Sequence, residues 1–199
     1  MAAMVKTQAV SLLTIQALAS NAVVISTVVD WATKMAASIF LSLGRDDSAG
    51  ALAVPFNFRV QGTPDASGDR RWMDLAVFQS GITVPEPEAI TGTQSIGATT
   101  LTLASTVNFA IGQLVLLKNT TIGNSEFARI KSFVANTSFS PIDPITSAQT
   151  GSTLYTQAEQ FVLQLDLTSI ERVRVVADNS GTGRSVVVEA YAITGDSFT

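Results

Sequence analysis

The sequence contains no cysteine and no histidine among its 199 residues. Without cysteine, neither a disulfide nor a thiolate metal site can hold the fold together. Without histidine, the commonest metal ligand and the commonest general base near neutral pH are missing. These absences exclude the catalytic triads that use histidine and leave carboxylate chemistry open. We expect a protein that is not an enzyme and that uses no metal or other cofactor.

Charge is also scarce, because only 14% of the residues are charged, compared with roughly 25% in ordinary soluble domains. A monomer needs charged surface to stay in solution, so this composition favours a surface that meets other protein. The alternative is a small β-protein whose surface is polar through serine and threonine. The net charge is −4, and the twelve Lys and Arg residues are scattered. Nucleic-acid binding needs clustered cations and is therefore not expected.

Long apolar runs are missing as well, since none reaches the length of about 18 residues that can cross a membrane. An N-terminal signal peptide is disfavoured because Ser11, Thr14 and Gln16 interrupt the apolar stretch 9–19 with polar groups. We expect a soluble chain that is made in the cytoplasm and has no membrane partner.

Alternation of apolar and polar residues is the strongest pattern that is present, and it predicts β-strands over 35–43, 53–61, 171–177 and 184–193. Pro55 predicts that the second of these strands lies at an edge or begins just after the proline. Turn residues at 178–183 separate the last two strands and predict a C-terminal β-hairpin. Residues 7–19 fit either a helix or a strand that turns back at Ser20-Asn21.

The middle of the chain differs in composition and predicts a separate module. A Pro-Glu-Pro sequence at 85–87 resembles a linker, and threonine-rich strands follow it. A two-stranded hairpin is marginal in water, so the C-terminal strands must pair with N-terminal ones. We therefore predict an all-β fold, with a jelly-roll-like β-sandwich from residues 1–84 plus 157–199. A small β-barrel domain, residues 88–156, is inserted into it.

This inserted segment resembles a module of virion proteins from tailed bacteriophages. The resemblance lies in three stretches, which are residues 97–105 with alternating Thr and Leu, 108–113 with a Phe-x-x-Gly turn, and 126–132 with a Glu-x-x-x-Ile strand. It covers about a third of the chain. The resemblance implies a role in particle architecture and carries no catalytic residues to transfer.

The densest charge cluster lies beside a tryptophan. Asp65, Asp69, Arg70 and Arg71 lead to Trp72, and Trp and Arg are the residue types that anchor protein interfaces. The alternative is a loop whose Trp72 caps the core while Asp69 pairs with an arginine at the surface. Trp31 carries the same two interpretations. Our interface candidates are therefore Trp31, Arg70, Arg71 and Trp72.

Two acidic pairs invite other interpretations. Asp46-Asp47, followed by Ser48 and Gly50, has some calcium ligands but lacks the spacing of an EF-hand, which favours a solvated turn. Glu86 and Glu88 lie in the proline-rich stretch, which offers no rigid concave site for a catalytic carboxylate pair.

The function most consistent with these patterns is structural. We expect a virion protein that assembles with copies of itself, as a trimer, and with the major capsid protein or other virion proteins. A capsid decoration, or cement, protein is the most concrete form, and a neck or tail ring component is the alternative. A carbohydrate-binding β-module is a hypothesis from another class, but the chain has only two Trp and two Tyr to serve as sugar platforms.

Overall fold

A computed structural model describes residues 4–6, 9–34, 36–67, 71–106 and 108–198. In these residues the secondary structure is almost entirely β, with one 3₁₀ helix at Ile122–Asn124. The strands in chain order are β1 (Met4–Lys6), β2 (Val10–Leu18), β3 (Val23–Ile25), β4 (Val29–Asp30), β5 (Ala36–Arg45), β6 (Phe56–Thr63), β7 (Met73–Ser80), β8 (Pro87–Ala89), β9 (Thr93–Gln94), β10 (Leu101–Thr102), β11 (Leu114–Lys118), β12 (Glu126–Val134), β13 (Ser138–Pro141), β14 (Gln149–Thr150), β15 (Thr153–Tyr155), β16 (Glu159–Asp166), β17 (Arg172–Asp178) and β18 (Val186–Phe198). No helix in these ranges is long and apolar enough to cross a membrane.

Two antiparallel sheets form a sandwich. In the first sheet β18 lies between β5 and the consecutive strands β1 and β2, and β16 is the far edge. In the second sheet β17 lies between β6 and the consecutive strands β3 and β4, and β7 is the far edge. Counting β1/β2 and β3/β4 as one strand position each, the chain order across the sheets is 1-8-3-6 and 2-7-4-5. This is the strand order of an eight-stranded jelly roll, and it confirms the all-β sandwich.

A second sheet system lies in the chain between β7 and β16. Its strand order is β10-β13-β12-β11-β15-β8. The two ends of this sheet meet, because Ile90 pairs with Leu103 and the Thr91 amide donates to the Thr102 carbonyl at 3.0 Å. We call this closed sheet the inserted barrel. The division into domains at 84, 88 and 157 stays a prediction, as does independent folding of either part.

Strand alternation builds two clusters of buried apolar side chains. In the sandwich, Val173, Val175 and Ala177 of β17 point inward, and Arg172, Arg174 and Asp178 lie on the other side of the same strand. The second cluster fills the inserted barrel with residues between Ile90 and Leu154. Each cluster removes apolar surface from water, which is the main favourable term in folding.

Two hairpins expected from turn chemistry are absent from the described residues. β17 belongs to the second sheet and β18 to the first, so residues 178–183 form a corner that crosses between sheets and the C-terminal hairpin prediction is wrong. β2 and β3 are likewise in different sheets, although the turn at Asn21, with φ of 70°, is present. β6 is central and begins directly after Pro55, which is the second of the two alternatives for that strand.

Asn179 holds these two corners together. Its fully buried side-chain amide donates to the carbonyls of Leu18, Ala19 and Arg184 at 3.1, 2.8 and 2.8 Å. Its side-chain oxygen accepts from the Thr182 hydroxyl at 2.7 Å. A side chain with both donors and an acceptor is needed here, because buried carbonyls without partners are costly.

We expect Asn179→Ala to lower the free energy of unfolding by about 3 kcal/mol or more, since several buried polar groups lose their partner together. Urea unfolding followed by far-UV circular dichroism measures the change. Asn124→Ala is the matched control, because Asn124 is exposed, and we expect it to shift stability by less than about 0.5 kcal/mol. Equal effects of the two substitutions would contradict the role of Asn179.

Candidate assembly surface and the adjoining cleft

The inserted barrel lies against the outer side of the first sheet. A Cβ atom at Gly44 of β5 would come within 3.0 Å of the Leu116 Cβ and 3.1 Å of the Phe127 ring, so the absence of a side chain permits this approach. The ammonium of Lys118 in the barrel pairs with Asp46 in the loop after β5. The 3₁₀ helix of the inserted segment also lies against β2. One end of the outer side of the first sheet is thereby covered.

A cleft of about 350 Å³ remains between the barrel and the sheet. Arg129 bridges it by donating to the Gln160 side-chain oxygen at 3.0 Å and to the Gly112 carbonyl at 3.1 Å. On the barrel side, a carboxylate oxygen of Glu126 accepts from the backbone and hydroxyl of Thr146 at 2.8 and 2.7 Å. Glu126 is therefore engaged in holding the 144–149 loop.

Glu189 of β18 also faces this cleft, but within the described part of the chain its carboxylate lacks the hydrogen-bond donors that Glu126 has. No described residue donates a hydrogen bond to its carboxylate, although the group is largely buried. Burial, with a smaller contribution from the Glu126 carboxylate, raises the pKa of Glu189. The neighbouring Tyr191 ring stacks on Phe40 with centroids 4.8 Å apart. The cleft therefore contains a carboxylate whose ionisation opposes the docked arrangement.

The outer side of the second sheet has no such cover from the described strands. Register places Ile25, Val176, Arg59 and Val77 in one row across β3, β17, β6 and β7. Ile25 is 54% exposed and Val77 is 51% exposed, and Val23 beside them on β3 is 51% exposed. We call this outer side the open face. Apolar side chains gathered on a sheet surface mark a site for contact with protein.

A tryptophan–arginine cluster lies at one end of the open face. Arg174 of β17 is positioned over the Trp72 ring, with its Cζ 4.2 Å from the centroid, and the Arg172 Cζ is 5.6 Å away. Arg174 also donates to the Gln61 side-chain oxygen at 2.8 Å, and Gln61 in turn donates to Asp74 at 2.8 Å. Hydrogen bonds and stacking therefore hold the aromatic ring and its cations in place, as an interface anchor requires.

The interface candidates from the sequence lie in different environments. Trp31 is 1% exposed and lies in the sandwich core, which matches the core-capping alternative. Arg71 is exposed beside Trp72 and has a backbone φ of 106°, unusual for a residue with a long side chain. Arg70 and Asp69 lie outside the described residues. Trp72 and Arg71 therefore stay as proposed contact residues.

The two acidic pairs take part in local contacts. Asp47 accepts from the Arg45 guanidinium at 2.6 Å and from the Ala49 amide at 3.1 Å, as expected of a turn, while Asp46 pairs with Lys118. Glu86 accepts from the Asn108 side chain at 2.6 Å. No group of three acidic side chains that could hold a metal ion occurs in the described ranges.

Sequence reasoning missed three of the features that shape this site. Arg172 and Arg174 alternate with buried valines in β17, which predicts an outward position but not Trp72 as their neighbour. The sequence placed Val23 and Ile25 in a possible hairpin with residues 7–19. Their pairing with β17 and the exposure of their side chains follow only from the sheet assignment. Glu189 is the one acid in the apolar stretch 186–193 of β18, and this is a signal that the sequence did contain.

Replacement of Glu189 by glutamine tests the cleft. A raised pKa means that the folded state holds its proton to higher pH than the unfolded state, so stability falls as the pH rises through the folded pKa. We expect Glu189→Gln to raise the midpoint of thermal unfolding at pH 7, and the gain to vanish near pH 4. Glu159→Gln, on the edge strand β16, is the control and should change little at either pH. A lower midpoint for Glu189→Gln at pH 7 would contradict the assignment.

Comparison with known proteins does not name a family. No family model and no curated protein sequence matches the chain. Among solved structures, the chain shows 11% identity and a TM-score of 0.23 to a structure of infectious bursal disease virus, Gt strain, over 97% of this chain and 82% of that one. It shows 9% identity and a TM-score of 0.21 to VP17, a capsid protein of bacteriophage P23-77, over 98% and 97%. Scores this low carry no argument, so the fold assignment here rests on strand order.

Proposed function

We propose that this chain is a structural protein of a virion, most concretely a capsid decoration protein of a tailed bacteriophage. It would bind over the junctions between capsid subunits and hold neighbouring subunits together. The observation that carries the proposal is the difference between the two outer sides of the sandwich. The inserted barrel covers one end of the first sheet, whereas the open face presents Val23, Ile25 and Val77 to solvent.

The jelly roll adds support by analogy alone, because this architecture occurs in viral capsid domains and also in lectins. Sugar recognition would need a free aromatic platform. Among the described residues Trp31 is buried and the Trp72 ring lies beneath Arg174, so neither tryptophan offers one. Contact with protein is therefore the better use of this scaffold.

Affinity for a shell would come from burying the open face. Its apolar side chains contribute by leaving water, roughly 25 cal/mol for each Å² of apolar surface, and the Trp72 cluster supplies a rigid anchor with charged hydrogen-bond donors. The partner would be the major capsid protein of the same virus, together with further copies of this chain. A trimer fits the threefold junctions of an icosahedral shell, and a hexamer or larger ring would instead fit a neck or tail position.

We expect the purified chain to co-sediment with shells assembled from the major capsid protein of the virus that encodes it. Ile25→Asp should weaken this binding at least about tenfold, because a carboxylate would be buried against the partner. Val162→Asp is the matched control, since Val162 is 48% exposed on the edge strand of the first sheet, and it should bind as the wild type does.

Light scattering behind a sizing column supplies the mass of the free protein. A mass of three chains, or of six that falls to three when Val77 on the β7 edge is changed to Lys, supports the threefold position, and a ring of six or more that this substitution leaves intact moves the proposal to the neck or tail. Failure of the wild-type chain to bind shells would overturn the decoration role. Unchanged binding of the Ile25→Asp variant would overturn the assignment of the open face.

A further inference from the structure

The sandwich has four sheet edges, and they differ in how well they are protected. The edge formed by β3 and β4 is broken into strands of three and two residues. In the edge formed by β1 and β2, the 3₁₀ helix lies against β2. The remaining edges, β7 and β16, are each eight residues long and pair with a neighbour on one side alone among the described strands. A continuous free edge presents unpaired backbone groups that can accept another strand.

β7 contains a bulge that protects only its first half. Val60 pairs with Ala76, but the next residue of β6, Gln61, pairs with Asp74, so Leu75 is an extra residue in β7. Bulges twist an edge away from further pairing. Beyond the bulge the strand runs regularly through residues 76–80, which are Ala, Val, Phe, Gln and Ser. This half of the edge carries none of the charges or prolines that natural edges use to prevent pairing.

The two free edges differ in their ability to pair with a copy of themselves. When identical strands pair antiparallel about a twofold axis, each charged residue faces a residue of the same segment. For β16 this full-length pairing sets Glu159 of one copy opposite Asp166 of the other, twice, and like charges in direct opposition are destabilising. Residues 76–80 of β7 meet no such opposition because they are uncharged.

We propose that a second copy of this chain pairs through its own β7, antiparallel, about a twofold axis near Phe78. The second sheets of the two copies then join into one sheet of twice the width, and the two open faces become continuous. The Val77 side chains, which extend the row of Ile25, Val176 and Arg59, lie next to this axis. Main-chain hydrogen bonds supply the affinity of such a strand addition, and side chains supply its selectivity.

This inference rests on the proposed assembly function and specifies one of its contacts. A twofold contact closes after two copies, so it is additional to the contact that would build a trimer. On a shell it would link copies that sit at neighbouring junctions.

Chemical cross-linking tests the pairing directly, because the chain has no cysteine of its own. Gln79→Cys places one thiol on β7 close to the proposed axis, and Gln164→Cys places one at an exposed position of β16. A short bis-maleimide should join two copies of the Gln79→Cys chain and leave the Gln164→Cys chain single. Addition of Val77→Lys should lower the cross-linked fraction at least about tenfold, since two ammonium groups then meet beside the axis.

Val162→Lys is the matched control for that charge, because Val162 and Val77 are similarly exposed on edge strands, at 48% and 51%. It should leave cross-linking through Gln79→Cys unchanged. Circular dichroism of each variant identifies any loss of the fold. Equal cross-linking at positions 79 and 164, or a wild-type chain that stays monomeric up to about 0.1 mM by light scattering, would overturn the pairing.

The same material separates this inference from the function on which it rests. Shell binding by the wild-type chain with no β7 cross-link, in solution or on the shell, overturns the pairing and leaves the decoration role standing. Cross-linking through β7 without shell binding supports the pairing and overturns the decoration role.

Discussion

The close approach of the inserted barrel to β5 at Gly44 determines which outer side of the sandwich stays uncovered. Any side chain at that position would meet Leu116 and Phe127 of the barrel at about 3 Å, closer than carbon atoms pack without displacement. Because the barrel lies against one end of the first sheet, the open face is the outer side that has no such cover from the described strands. The insertion therefore gives the two outer sides of the sandwich different surroundings, because the barrel lies against the first sheet.

Polar contacts also hold the barrel in that place, and the burial of an acidic side chain beside them lowers the stability. The Lys118–Asp46 pair and the bridge from Arg129 to Gln160 join the two parts at the rim of the cleft. Glu189, which lines the same cleft, has a raised pKa because burial removes water from its carboxylate. Retention of a largely buried acid in the apolar stretch 186–193 lowers stability at neutral pH. The docked arrangement is thus held by packing at Gly44 and by a few polar contacts, and the burial of the Glu189 carboxylate opposes it.

Local sequence patterns were sufficient for the strands and insufficient for their partners. Alternation identified β5 and β17 to within two residues at each end, and β6 and β18 to within five, because a strand with one buried side must alternate. The same turn residues are compatible with a hairpin and with a corner between two sheets, so they do not identify the partner of a strand. Residues 178–183 became a corner because Asn179 binds carbonyls of the β2 corner, more than 150 positions earlier in the chain. Trp31 and Trp72 are alike in sequence terms, and their different burial depends on long-range packing that no local pattern contains.

The charges of the open face explain how a chain with so few charged residues can present arginines at the proposed contact surface. Arg59 pairs with Asp178 at 3.4 Å, Arg174 with Gln61 at 2.8 Å, and Asp74 with Gln61 at 2.8 Å. Hydrogen bonding by Ser180, together with Arg59, lowers the pKa of Asp178, so that carboxylate stays ionised. A partner that covers this face removes water from charges that already have partners within the chain. Burial of an unpaired charge is among the largest costs of association, whereas a pair formed beforehand reduces that cost. The low charge content and the pairing of these charges within the chain therefore both lower the free-energy cost of covering the open face.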